Sequence, residues 1–209
     1  TNKRMLSRYV QQINALRPDL ILIGGDLVDH DITPLWEEHM QEELSELIAT
    51  YGIYMVPGNH DYYSGIANVE RFLGETPIVL LRDSVVTLPN GVQLVGRDDR
   101  YNTRRKPLAE LTASLATDRP ILLIDHQPYD LAKTAEAGVD LQFSGHTHRG
   151  QVWPVSLLVD RLFELSYGSK EINKSLIYVS SGLSLWGPPF RIGTDSEIVV
   201  FNLTFQPVS

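Results

Sequence analysis

Residues 20–29 read LILIGGDLVD, and no other run constrains the fold as much. Leu20, Ile21, Leu22 and Ile23 are apolar without alternation, the pattern of a short strand covered on both faces, as in a parallel sheet. Gly24 and Gly25 end the run and let the backbone turn sharply, which puts Asp26 at the carboxyl end of the strand with Asp29 close behind. In open α/β sheets that end is where ligands bind. Three later stretches repeat the form: residues 53–56 run into PGNHD, 121–124 into DHQP and 141–143 into SGHTH. The four strand ends carry Asp26, Asn59, His126, and the pair His146 and His148, and four of the six histidines fall within these stretches.

The segments between them complete an α/β pattern. Met5, Leu6, Tyr9, Val10, Ile13 and Leu16 have amphipathic-helix spacing over residues 2–16, closed by Pro18. Thr33-Pro34 reads as an N-cap with Pro at the first helical position, opening a helix over 35–49, and further helices are expected over 64–73, 107–115 and 129–137. Strands are expected at 78–81, 84–88 and 92–96, the last two joined by a Pro89-Asn90-Gly91 hairpin turn, and at 177–180 and 197–203. With no repeat or linker, the 209 residues read as one domain. A helix at the start of a parallel arrangement implies a strand before it, so the chain, which begins at Thr1, is expected to be a fragment lacking its first strand.

Net charge −8 and a pI near 5.2 argue against a nucleic-acid-binding surface, but not against a phosphate substrate, because bound metal reverses the local field. The absence of cysteine excludes disulfides and thiolate ligands. No run approaches the roughly 20 apolar residues of a membrane span. A cytoplasmic location, or a membrane-associated one facing the cytoplasm, is the expectation.

Taken singly, each strand-end residue has an ordinary explanation: Asn59 as turn chemistry, His126 as a capping histidine, His60 and Asp61 as a surface pair, His146 and His148 as loop residues. Taken together they repeat one structural rule. All the donors are oxygen or imidazole nitrogen, a set that suits Zn, Mn, Fe or Ni and is too nitrogen-rich for calcium. An Asp can bridge two such metals about 3.5–4 Å apart, a site built for in-line attack on phosphorus.

GDLVD (25–29), GNHD (58–61), DHQP (125–128) and GHTH (145–148), in this order and spacing, resemble the calcineurin-like metallophosphoesterase superfamily. The run GHTHRGQVWP and the tail SSGLSLWGPPFRIGTDSEIVV resemble a bacterial phosphodiesterase-like branch, some members of which are membrane-anchored and some of which act on the pyrophosphate of UDP-diacylglucosamine. The resemblance implies a four-layer α/β/β/α sandwich of two mixed sheets and a dinuclear centre whose metal-bound hydroxide attacks phosphorus. In it Asp26 bridges the metals, Asn59, His126 and His146 complete the second site, and His148 belongs to the first. His60 contacts the phosphate, Asp61 orients His60, and Asp29 is a supporting residue behind the ligands. The family's opening Asp-x-His motif occurs nowhere in this sequence. The expectation is therefore at most one well-held metal and weak or absent activity for this chain by itself.

Arg97 and Arg100 in GRDDR could line the substrate rim, although a solvated charged turn is the plainer expectation, as it is for Arg104-Arg105-Lys106. Trp153, Leu157, Leu158, Leu162, Phe163, Trp186 and Phe190 are expected mostly in the core; on the surface they would offer an apolar rim to an acyl chain or a membrane. His30 and His39 receive no role. The alternative to an enzyme is a non-catalytic binding platform on the same fold.

Overall fold

The computed structural model describes residues 2–187 and 189–204. Its first third packs helices on a small sheet. Helix α1 (Lys3–Ala15) is capped by Asn2, whose side chain accepts a hydrogen bond from the Met5 amide. Strands β1 (Ile21–Ile23), β2 (Ile53–Met55) and β3 (Ile78–Leu80) pair in parallel in that order. The helix expected over 35–49 is two: α2 (Thr33–Glu37) and α3 (Met40–Ser45), separated by His39, which takes a left-handed conformation at φ 51°. That break lets Met40 and Leu44 reach the core that one straight helix would have carried them past. Residues 59–73 likewise form two helices, α4 (Asn59–Tyr63) and α5 (Ile66–Leu73), so GNHD opens a helix and is not a free turn.

The second sheet follows wholly in sequence. The expected hairpin joins β4 (Ser84–Thr87) and β5 (Gln93–Gly96), and α6 (Leu108–Thr112) leads to β6 (Ile121–Ile124). Helix α7 (Leu131–Glu136) precedes β7 (Leu141–Ser144); then come α8 (Val155–Leu162), β8 (Gly168–Ile172) and β9 (Ser175–Val179). The order is β4-β5-β6-β7-β9-β8, with β5, β6, β7 and β9 parallel and both edges antiparallel. Two sheets are thus present, with mixed strand direction confined to the second.

Alternation of side chains across the strands sorts the core into layers. Ile21, Ile53 and Met55 face α1, α3 and α5, whereas Leu20, Leu22 and Tyr54 face the second sheet. Leu122 and Ile124 meet that intersheet layer, while Ile121 and Leu123 point the other way, onto α6. Strands β5 and β6 are buried along their whole length, which is why residues 121–124 are apolar without alternation, whereas β8 and β9 alternate between covered and exposed positions.

Three expectations are corrected. Residues 197–203 form no strand: the Glu197 carboxylate accepts from the Ser181 amide and from the Tyr167 and Tyr178 hydroxyls, which ties the segment down by a side chain in place of a ladder. The apolar residues around 153–190 are not core: Trp153, Leu157, Leu158, Leu162, Trp186 and Phe190 are all roughly half exposed or more. GRDDR is not a solvated turn either, because Arg97, Asp98 and Asp99 are buried by ion pairing and hydrogen bonding to distant residues.

Candidate metal centre

The parallel strands of both sheets bring the ends of β1, β2, β6 and β7 together. Close backbone approach makes the convergence physical. A Cβ on Gly58 would lie 2.7 Å from the Asp26 amide nitrogen, and one on Gly25, at φ 98°, would lie 2.6 Å from His126 Nδ1. Asp26, His146 and His148 all have positive φ, at 57°, 70° and 48°, a conformation non-glycine residues avoid unless the surroundings enforce it.

His126 is buried, and its Nδ1 donates to the Gly24 carbonyl at 2.6 Å. That bond fixes the ring and turns Nε2 toward the site, 3.0 Å from Asp26 Oδ2 and 3.3 Å from His146 Nδ1. Burial opposes a charge on His126, but the Asp26 carboxylate outweighs it and pushes the imidazole up to about 9. Burial also raises the Asp26 carboxyl, yet His126 overrides this and holds it below its ordinary range. His146 and His148 go the other way, down to about 4: burial comes first for both, followed by the His126 charge for His146 and the Arg191 guanidinium for His148. Two neutral imidazoles and one carboxylate are what a divalent cation binds.

Whether these residues fit a metal is tested by their unsatisfied atoms. Asp26, His126 and His146 each place a donor within 4.8 Å of the others. Among the described residues, Asn59 Oδ1 and His148 Nδ1 are buried and have no hydrogen-bond partner. Buried polar atoms are rarely left so, because each loses its hydration without compensation. Asp26, His126 and His146, with Asn59 Oδ1 as an unpaired oxygen donor, fit a cation, whereas His148 lies outside that group and a Cβ on Gly182 would lie 3.3 Å from its Nδ1.

Around this set sit the residues proposed for chemistry. The His60 ring is 12% exposed, and its Nδ1 lies 2.8 Å from Asp29 Oδ1 and 2.9 Å from the Asp29 carbonyl. Asp29 and not Asp61 is therefore the carboxylate against the His60 ring. Asp61 is fully buried and accepts from the amides of Asp26, Gly58 and Val28 at 2.8–3.0 Å, bracing the loop that carries Asp26. Burial pushes its carboxyl up to about 6 despite those donors. The expected contact is replaced because Asp61 lies in the first turn of α4, next to the Gly58 amide, whereas Asp29 reaches over the mouth.

Arg97 lies beneath the site, not at its rim: with Arg105 it clamps Asp125, the residue before His126, at 2.9 and 3.2 Å. Arg100 is at the surface, its guanidinium 4.6 Å from the centre of the Tyr129 ring and 3.4 Å from Asp130. Two residues join that sequence reasoning passed over. His30 shares Asp29 Oδ1 with His60, at 2.8 Å, and Trp186 stacks on His148 and meets His60 edge-on. Only the adjacency of His30 to Asp29 signalled the first; nothing local signalled the second, since Trp186 lies 38 positions from His148. His39 is exposed.

An α/β sandwich with imidazoles and a carboxylate gathered at the carboxyl ends of its parallel strands defines the class of metallo-dependent phosphatase folds. The chain belongs to the calcineurin-like phosphoesterase family, whose sequence model matches residues 2–150. It is 36% identical over 207 residues to an uncharacterized metallophosphoesterase of Helicobacter pylori, covering 96% of this chain and 55% of that protein. A Campylobacter jejuni metallophosphoesterase is 32% identical, with 97% and 55% covered. A zebrafish protein described as a transmembrane protein with metallophosphoesterase domain is 30% identical, with 92% and 47% covered. The chain spans about half the length of these curated relatives. Among solved structures, a Haemophilus influenzae NAD nucleotidase superposes with TM-score 0.55 at 15% identity, covering 86% of this chain and 43% of that one. A Thermus thermophilus sulfate thiohydrolase gives 0.52 at 20%, covering 84% and 37%. These two likenesses concern the fold alone. Among the described residues no helix is long and apolar enough to cross a membrane.

Proposed function

We propose that this chain is the metal-binding, catalytic part of a phosphoesterase that hydrolyses phosphodiester, phosphomonoester or pyrophosphate bonds. The cluster of Asp26, His126 and His146, whose donor atoms lie within 4.8 Å of one another, carries the reading, and the buried, partnerless Asn59 Oδ1 supports it. Asp26, Asn59, His126 and His146 would hold one divalent cation of the Mn, Zn, Fe or Ni type; toward a second, in a dinuclear centre, this chain offers Asp26 and His148. Such cations supply Lewis acidity at phosphoryl oxygens and an activated water.

The protein's own residues do the rest. The Asp29 oxygens accept from Nδ1–H of His60, and in the imidazolium form the ring would donate its Nε2–H to a phosphoryl or leaving oxygen as charge develops there. Asp61 keeps the Asp26 loop from relaxing. Asp125, held by Arg97 and Arg105, keeps the His126 loop in place. Arg100, at the surface against Tyr129 and Asp130, would be the guanidinium to meet substrate phosphate. Relatives from zebrafish and cattle are named transmembrane proteins, and the reading extends to work close to a membrane.

The test is metal content together with hydrolysis of bis-p-nitrophenyl phosphate in added Mn, on the full-length protein that contains this chain, as wild type and as His60→Ala. Turnover that needs metal and falls in the variant with metal content unchanged supports the reading. Metal binding without turnover in the wild type, on a panel that also includes phosphomonoesters and a pyrophosphate, overturns it in favour of a binding platform.

A further inference from the structure

A second group of metal-binding side chains lies beside the first. Asp29, His30 and His60 each bring one donor atom within 4.8 Å of the other two. Asp29 Oδ1 is 2.8 Å from Nδ1 of His30 and 2.8 Å from Nδ1 of His60, so two imidazoles converge on one carboxylate oxygen. The Asp29 carbonyl, 2.9 Å from His60 Nδ1, adds a further oxygen next to that ring. Orienting His60 needs one carboxylate; it does not need a second imidazole, 66% exposed, on the same oxygen. Asp29 and His30 are neighbours in the loop after β1, whereas His60 comes from the first turn of α4. Asp61 holds these two pieces in register, since it accepts from the Asp26 and Val28 amides of the loop and from the Gly58 amide at the start of α4. The rings are packed as well: His30 meets His60 edge-on at 5.0 Å, and Tyr63 lies 5.2 Å from His60 and 6.1 Å from His30. The donors are thus gathered before any ligand arrives, which keeps the ordering cost of binding small.

We propose that Asp29, His30 and His60 form a further binding site for a transition-metal cation of the Zn, Ni or Cu type, separate from the centre of Asp26, His126 and His146. Two imidazoles and a carboxylate select that class, because Mg and Ca take sets made of oxygen. Three side-chain donors leave the site open, and with Asp29 61% and His30 66% exposed, water completes the shell and the cation exchanges with solvent. Binding here is weaker than at the buried centre, since the cation must first displace the hydrogen bonds that both rings make to Asp29. A carboxylate oxygen only accepts, so Nδ1 of each neutral ring carries its hydrogen in the metal-free protein. A cation takes the two Nδ1 lone pairs, and each hydrogen passes through solvent to Nε2 of its own ring, with no proton gained or lost. The filled site therefore holds His60 with its hydrogen on Nε2, the nitrogen that would face a phosphoryl oxygen. That last consequence rests on the phosphoesterase reading; the binding does not.

The experiment is Zn binding to the full-length protein that contains this chain, by equilibrium dialysis and elemental analysis, as wild type, His30→Ala and His39→Ala. His30 is exposed, so its truncation opens no cavity, and His39 is another exposed imidazole outside the cluster. The wild type is expected to take up a weaker Zn equivalent once the buried centre has filled. His30→Ala is expected to lose that equivalent and keep the tighter ones, and His39→Ala to match the wild type. Nitrogen NMR of histidine-labelled protein is expected to show the His60 hydrogen moving from Nδ1 to Nε2 as the weaker equivalent fills, and staying on Nδ1 in His30→Ala. Four results overturn the site: His30→Ala binding as much Zn as the wild type, His30→Ala losing the tighter equivalents too, His39→Ala losing the weaker equivalent, or filling with no change at the His60 ring. The expected Zn pattern without hydrolysis of bis-p-nitrophenyl phosphate would leave the site standing and sink the phosphoesterase reading alone.

Discussion

Replacing Asn59 by Ala should move two quantities that normally move together in different ways. Asn59 is 8% exposed, and its Oδ1 has no partner in the metal-free protein. Leaving a buried acceptor unpaired costs about 1–3 kcal/mol, which the substitution relieves, and the lost side-chain packing takes back a similar amount. Metal-free stability should therefore stay within about 1 kcal/mol of wild type. Cation binding should suffer. A wild-type protein at a metal concentration 100-fold above Kd gains about 2.7 kcal/mol of apparent stability, whereas a variant binding 100-fold more weakly gains only about 0.4 kcal/mol. The assay is urea unfolding with chelator and with Mn or Zn, alongside calorimetric titration. A metal-free variant less stable by 3 kcal/mol or more would show that Asn59 holds the fold through a partner, and an undiminished metal-dependent gain would remove it from the ligand set. Either result refutes the argument from unsatisfied atoms.

Other perturbations separate the supporting roles. Asp61→Asn puts an amide where three backbone N–H groups converge and should cost about 2–4 kcal/mol in urea unfolding, metal or no metal. His60→Ala should lower kcat about 10²–10³-fold while metal content by elemental analysis stays at the wild-type level. Asp29→Ala should lower kcat by a smaller factor, since it removes the brace and not the ring. Arg97→Met with Arg105→Met leaves Asp125 buried and unpaired and should cost about 3–5 kcal/mol, part of which a further Asp125→Ala restores.

The strand ends were legible because their constraint is local. Gly25 and Gly58 must be glycine for the backbone to pass His126 and Asp26, and that requirement sits beside the ligands in the sequence. Which face of each strand meets which layer was not legible, since Ile121 to Ile124 are apolar on both. Pairings across long separations were hidden as well. Arg97 and Asp125 lie 28 positions apart, so GRDDR reads as a solvated turn until its partners are seen. Residues 155–162 have helical spacing whether the leucines face in or out, and only the close approach of Gly150 to Ser156 decides the sense. Asp29 and Asp61 are both acids next to motif residues, and three-dimensional reach assigned the His60 ring to the first.

The two sheets divide the chain cleanly in sequence: β1 to β3 end at Leu80, and β4 begins at Ser84. Asp26 and Asn59 belong to the first sheet, and His126, His146 and His148 to the second. Whatever occupies the centre is therefore a further clasp between halves already joined by an apolar layer and by the His126–Gly24 and Tyr62–Asp98 hydrogen bonds. With the clasp closed, the halves are held in register at the place where chemistry needs fixed distances. With it open, the seam is free to breathe first at the mouth, and amide exchange in residues 24–28 and 144–148 should quicken on chelation well before the rest of either sheet responds.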